Sequence, residues 1–177
     1  GKKVVAYNSS SVAQTAAHSD NPSWCLLDYL TNERYGKGIA RANIDIPSFY
    51  TASTICDTDV TPYGSASAID VMDCNAIIDT SSPVIDNVRE FLKGCRGYLP
   101  YVGGKYKLIV ETTGSSSITI TEDDIIGGYT LNSPTKNSKF NRVICSFVDP
   151  DRNYQVNEVQ FPEIDDSGYA TADKHAT

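Results

Sequence analysis

Asn21-Pro22-Ser23-Trp24-Cys25-Leu26-Leu27-Asp28-Tyr29-Leu30-Thr31-Asn32-Glu33-Arg34-Tyr35-Gly36-Lys37-Gly38 is the most strongly patterned run of the chain. It reads as an amphipathic helix. Asp20 or Asn21 supplies the N-cap, and Pro22 stands in the first turn, where a missing N–H costs nothing. Trp24, Leu27 and Leu30 (or Thr31) recur at helical spacing and form the buried stripe. Gly36 or Gly38 ends the helix by taking a left-handed conformation. Nothing in the run carries catalytic chemistry.

The segments on either side follow from the same rules. Val4, Val5 and Tyr7 suggest a short strand within residues 1–19, an opening segment read as a strand cut from its partners and a polar connector. After the first helix, Asp45 caps a second one with Pro47 in its first turn, and Phe49, Ala52, Ile55 and Cys56 point inward. Residues 57–70 read as a surface loop and Asp73 to Ile78 as a strand. A third helix runs from about Pro83 to Lys93 or Gly94, with Ser82 as its N-cap. Its apolar positions Val84, Ile85, Val88, Phe91, Leu92 and Cys95 lie on one face of a 3.6-residue period, which predicts the main core helix.

Beyond it the period changes. Tyr98 to Val102 and Lys105 to Glu111 read as two strands of a hairpin joined at Gly103-Gly104, a turn that tolerates positive φ. Tyr106, Leu108 and Val110 alternate with Lys105, Lys107 and Ile109, so one face is the more apolar. Ser117 to Thr121 and Tyr129 to Leu131 have strand character. Glu122 to Ile126 reads as a helical turn stopped by Gly127-Gly128. A long hairpin closes the pattern, Phe140 to Val148 and Tyr154 to Phe161 about a turn at 149–153. The predicted class is α+β: three helices packed on antiparallel β-hairpins. Residues 20–162 form the module, divisible into two subdomains with a break near 112–128, and residues 163–177 form an acidic and polar tail.

Composition bounds the function. The 177 residues are 40% hydrophobic and 21% charged, so a packed core is expected rather than disorder. A domain of that size buries roughly 70% of its unfolded surface. The net charge of −7 argues against nucleic acid and anionic membranes as partners, because phosphate binding depends on Lys and Arg. No apolar run approaches the ~20 residues of a membrane span, and the first residues show no signal peptide. The sequence opens on Gly1 without Met and reads as an excised piece of something longer. Five cysteines, Cys25, Cys56, Cys74, Cys95 and Cys145, are widely spaced and form no zinc pattern. They are expected as reduced, buried thiols of a protein made in a reducing cytosol.

Candidate chemistry is sparse. Glu122-Asp123-Asp124, Asp149-x-Asp151 and Asp165-Asp166 lack the spacing of a calcium loop. They suit a helix start or a turn instead. His18 and His175 lie in unpatterned segments near the termini, and no nucleophile motif accompanies them. Gly36-x-Gly38 and Gly94-x-x-Gly97 follow helices rather than precede them, so they read as helix stops and not phosphate loops. No catalytic, metal-binding or cofactor-binding residue emerges. The one candidate interaction surface is Tyr98, Tyr101 and Tyr106 in the glycine-turn hairpin. Such tyrosines can bind a sugar or a protein. They can also form a sheet face packed on the third helix, the reading favoured here.

The run from Asn21 to Thr31 resembles the N-P-A/S-W-x-L-x-D-x-L-T block of the lambda-type phage tail-tip protein J family, the host-specificity or tip-attachment proteins. Ile55-Cys56-Asp57 resembles the family's C-D pair after the second helix, and Cys74-Asn75-Ala76 its C-N-A segment. Pro83 to Cys95 with Tyr98-Leu99-Pro100-Tyr101-Val102-Gly103-Gly104-Lys105 is similar to its helix, aromatic strand and glycine turn. Phe140-Asn141-Arg142-Val143 with Phe147-Val148-Asp149-Pro150 resembles its last hairpin. Together these cover about residues 20–162.

The resemblance implies a structural module of a phage or prophage tail-tip hub, similar in fold to baseplate hub domains. It implies no enzyme and no cofactor. The parent chain would trimerise around the tail axis, contact other tail proteins, and reach the host receptor through parts outside these 177 residues. It would be made in the host bacterial cytoplasm and reside at the virion tail tip. The alternative is a module that binds a host-surface glycan or protein through the tyrosine hairpin or the 57–70 loop. A peptidoglycan hydrolase is a distant third.

Overall fold

The computed structural model describes residues 3–61, 67–75, 77–114, 118–133, 142–149 and 152–162. The chain divides into two compact units, residues 1–116 and 117–177. The described residues hold three α-helices and several antiparallel strand pairs, the α+β class expected.

The first unit is built around α1, Pro22–Thr31. Asn21 is its N-cap, with the side chain accepting from Ser23 N at 2.9 Å. The helix is buried on nearly every side: Ser23, Trp24, Leu26, Leu27, Tyr29 and Leu30 are all inside. The predicted stripe was therefore too narrow, because α1 has neighbours all round and a central helix needs no polar face. It ends at Thr31, with Asn32 in an extended conformation, and not at Gly36 or Gly38. The glycines serve the return of the chain instead. Lys37 N donates to Tyr29 O at 3.1 Å and Ile39 N to Leu30 O at 2.8 Å, so residues 36–39 fold back on the helix end. A Cβ on Gly36 would lie 1.8 Å from Tyr29 O. Gly38 does adopt a left-handed φ of 67°.

Helix α2, Ile46–Cys56, crosses α1 and buries Phe49, Ala52 and Cys56 against it, with Ile55 half-buried. Polar bonds tie the two helices. Ser23 Oγ donates to Phe49 O at 2.7 Å, and Asn21 Nδ2 donates both to Ser53 O at 3.0 Å and to Asp57 Oδ1 at 2.7 Å. Asp45 stands at the N-cap without making a side-chain cap bond. Its carboxylate pairs with Lys107 Nζ at 3.4 Å.

Helix α3, Val84–Gly94, presents Val88 and Phe91 to α1, where the Tyr29 and Phe91 rings lie 5.7 Å apart. Asn87 is also buried and donates to the Tyr29 hydroxyl at 3.1 Å and to Asp79 O at 2.8 Å. Val84 and Leu92 are only partly covered, and Ile85 is exposed. Helix α1, not α3, is the core helix. The N-cap position falls to Pro83 rather than Ser82, whose hydroxyl is engaged by Asp79 at 2.8 Å. Arg96, at φ 48°, takes the left-handed position after the helix. Gly94 and Gly97 do not act as stops; Gly97 is small because a Cβ there would meet Cys95 Sγ at 2.8 Å.

Short strand pairs surround the helices. β1 (Lys3–Val4) pairs antiparallel with β2 (Ala17–His18), and Val4 and Tyr7 reach the core beside Trp24. β3 (Asp59–Val60) pairs with β4 (Ile69–Asp70) inside the stretch read as loop. The strand expected at 73–78 is absent among the described residues. Met72 N donates to Cys56 O at 3.3 Å and Cys74 N to Asp20 O at 2.6 Å. β5 (Gly97–Tyr98), β6 (Tyr101–Val102), β7 (Lys105–Tyr106) and β8 (Ile109–Val110) make one hairpin in two pieces. The gap falls at Pro100, which has no N–H to give the ladder. Its carbonyl still accepts from Lys107 N at 3.0 Å and holds the register.

In the second unit, Thr121 and Asp124 form a reciprocal capping box around a short 3-10 turn, Glu122–Asp124. Residues 118–121 and 129–131 are not strands. β9 (Val143–Asp149) and β10 (Gln155–Phe161) pair along their whole length, Val143 opposite Phe161 and Asp149 opposite Gln155. Phe140, the predicted start of this hairpin, lies outside the described residues.

Candidate functional site

The predicted tyrosine surface sits on the β5–β8 hairpin. Gly103 and Gly104, at φ 62° and 79°, close a two-residue turn whose twist suits the strands. The register then assigns the faces. Tyr101 lies opposite Tyr106, with ring centroids 4.8 Å apart, and shares its face with Leu99, Leu108 and Val110. Tyr98 lies opposite Ile109 on the other face. Side chains alternate along a strand, so Tyr98 and Tyr101 point to opposite sides. The three tyrosines therefore do not share one binding platform. Nor is the favoured packed-face reading right for all three. Tyr106 is half-buried and packs against the core, but Tyr98 is 63% exposed and Tyr101 59%. The outward strip that does exist is Tyr98, Val102 and Ile109. Its last two members were not picked out from the sequence, although the glycine turn fixes the pairing that aligns them.

Behind Tyr106 a groove of about 430 Å³ runs between the hairpin and α3, lined by Leu30, Ile39, Val84, Val88, Leu99 and Tyr106. Its walls are mostly aliphatic, with Lys37 the one charged side chain among the lining residues. In the second unit, β9–β10 exposes a continuous apolar face. The opposed pairs Val143–Phe161 and Cys145–Val159, with Phe147 beyond them, are all solvent-exposed. An isolated two-stranded hairpin is marginally stable, and such a face calls for cover.

A smaller cavity, about 340 Å³, lies beside the N-terminal half of α1 and gathers His18, Cys25, Asp28 and Cys74. No local pattern in the sequence supports a Cys–His pair, yet the fold places these groups around one cavity. The thiol is not activated, however. The neighbouring Cys74 thiol, burial, and the Asp20 and Asp28 charges all push the Cys25 thiol far above its ordinary range. A nucleophilic cysteine needs the opposite shift. Burial likewise pushes Cys56 up to about 12 and raises Cys95. All five cysteines are free, as expected. Only Cys56 and Cys95 are buried; Cys25 and Cys74 are half-exposed and Cys145 is exposed on its hairpin.

The acidic clusters occupy structural positions. Bonds from the Thr121 backbone and hydroxyl hold the Asp124 carboxyl below the usual carboxylate range. Asp149 pairs with Arg152 at 3.8 Å and accepts from Asn157 at 2.8 Å. Asp151, Asp165, Asp166 and His175 lie outside the described residues. Among the described residues no three His, Cys, Asp or Glu side chains are grouped to hold a metal ion, and no helix is long and apolar enough to cross a membrane.

No protein-family model matches the chain. Curated relatives do. The chain is 30% identical over 176 residues to the baseplate hub protein pb3 of Escherichia phage T5, a match that covers 91% of this chain and 18% of that protein. It is 26% identical over 142 residues to the tip attachment protein J of Escherichia phage SECphi27, covering 78% of this chain and 12% of the relative. The chain thus spans less than a fifth of the length of either relative.

Proposed function

From a chain related in sequence to the hub and tip-attachment proteins of phage tails, we propose that it works as a structural module of a tail-tip hub, in the virion, and not as an enzyme. The observation that carries this reading is the match to a baseplate hub protein along 91% of the chain. Two features of the molecule agree with it. The unit with the core is held by buried side chains and by polar bonds between helices. The exposed apolar face of Val143, Cys145, Phe147, Val159 and Phe161 suits cover by a neighbouring subunit.

In this reading the parent protein assembles as a trimer about the tail axis and contacts other tail proteins. Host attachment and genome delivery belong to the whole hub, and synthesis takes place in the host cytoplasm. Immunogold labelling of virions from the phage or prophage that encodes the chain tests the assignment. Gold at the distal end of the tail is expected. Gold on the capsid, or none on intact particles with label only in the lysate, would remove it.

The exposure of Tyr98 and Tyr101 favours a second reading, a module that holds a host-surface glycan or protein. Because the two rings face opposite ways, each would act alone. A glycan array probed with the chain and its Tyr101→Ala variant separates the readings. Binding lost in the variant supports the second, and absence of binding in both leaves the structural role.

A further inference from the structure

Tyr98 borders a groove of about 510 Å³ between the last turns of α3 and the start of the β5–β8 hairpin, lined also by Arg89, Lys93, Arg96 and Glu111. The chain carries a net charge of −7, yet this lining sets three cations against one carboxylate. Arg89 and Lys93 stand one turn apart on α3 and share a face. Each is paired with an acid of its own helix, Asp86 at 3.1 Å and Glu90 at 2.6 Å, in exposed contacts that hold it weakly.

Arg96 and Glu111 differ from these. Glu111 N donates to Arg96 O at 3.3 Å, which locks the two backbones side by side at the open end of the β5–β8 pair. Their side chains form no ion pair with each other or with any other described residue. A guanidinium fork and a carboxylate thus line one groove unbridged, beside a phenol ring that is 63% exposed. Arg96 also sits at φ 48°, a conformation that glycine takes most easily, so the backbone gives no reason for an arginine there. The carbonyl end of α3 favours nearby cations, but it accounts for neither the ring nor the unbridged carboxylate.

We propose that this groove binds an acidic saccharide, a sugar ring that bears a carboxylate. The C–H face of the sugar lies on Tyr98, whose ring is apolar with a polar tip. Arg96 takes the sugar carboxylate in its fork, and Arg89 and Lys93 add attraction. Glu111, an acceptor only, takes protons from the sugar hydroxyls. A neutral sugar leaves the cations without a counter-charge. An inorganic polyanion leaves the ring unused and meets the charge of Glu111. The site deepens the glycan-binding reading given above and rests on it.

The test titrates the full chain by calorimetry with trigalacturonate, with uncharged maltotriose, and with tripolyphosphate, an anion without a ring. Trigalacturonate is expected to bind about tenfold more tightly than either of the others, and more weakly as salt is raised. Arg96→Gln and Tyr98→Ala should each lower that affinity about tenfold with Tm unchanged, since both side chains are exposed. Lys105→Gln, at the far turn of the hairpin, should leave it unaltered. Equal affinity for tripolyphosphate, affinity for trigalacturonate that both groove variants retain, or no heat of binding with any of the three would each overturn the proposal. A glycan lost in Tyr101→Ala but kept in Tyr98→Ala would sustain the glycan reading and still remove this site, so the two fail separately.

Discussion

Single side chains at the end of α1 decide how closely the chain can fold on itself. Gly36 passes so near the Tyr29 carbonyl that no side chain fits, and the obstacle is backbone, which cannot rotate aside. Gly36→Ala is expected to cost about 3 kcal/mol, the upper end of overpacking penalties, read as a loss of stability in urea unfolding. Ser23→Ala leaves the buried Phe49 carbonyl without its donor and should cost about 1–2 kcal/mol in the same experiment. Cys56 offers a pH signature. Burial raises its folded pKa from about 9 to about 12, so the neutral thiol is favoured in the fold. Its contribution is complete below pH 9 and is lost as the pH rises toward 12. In a variant whose other four cysteines are serine, thiolate absorbance near 240 nm should therefore appear only well above pH 9. The cap at Asn21 was legible, because Asn before Pro at a helix start is a local rule. The purpose of Gly36 was not, since a left-handed stop and a close approach both call for glycine, and only the fold distinguishes them.

Among the elements, α1 and α3 differ in how far their patterns can be trusted. The third helix has the more regular apolar face in sequence, yet it lies at the edge of the unit and buries only part of that face. Phe91, 4% exposed, should cost about 3–5 kcal/mol on replacement by Ala. Ile85, 53% exposed, should cost less than about 0.5 kcal/mol. Equal losses in a thermal melt would show that the helix is covered on both sides. Helix α1 looked narrower than it is because Tyr29 and Leu26 lie outside an ideal stripe, and no single-helix pattern reveals neighbours on every side. The tyrosine hairpin was legible down to its turn and its apolar face, Tyr106, Leu108 and Val110. Its tyrosines were grouped by closeness in sequence, and the odd and even positions of the strand then separated Tyr98 from Tyr101. The strand expected at 73–78 failed for another reason. The Cys74 N–H there is bonded to the Asp20 carbonyl just before α1 rather than to a partner strand.

At the level of the whole molecule the core is unevenly shared. Every residue of the hydrophobic cluster, from Val4 to Val110, belongs to the first unit. A fragment of residues 1–116 should fold alone and melt cooperatively, as followed by near-ultraviolet circular dichroism of Trp24. A fragment of residues 117–177 should show no cooperative transition, because its described hairpin has two strands and an exposed apolar face. A cooperative melt of that fragment would mean that it has a core of its own. A long-lived extracellular particle must also survive slow chemical decay. Asparagine deamidates when the nitrogen of the following residue attacks its side-chain carbonyl and closes a succinimide ring. At Asn21 the product would set a new carboxylate against Asp57, where an amide now donates to both Ser53 and Asp57. The next residue is Pro22, whose nitrogen carries no hydrogen and cannot follow that route. The amide on which the junction of the first two helices depends is therefore shielded from ageing by the same neighbour that starts the helix.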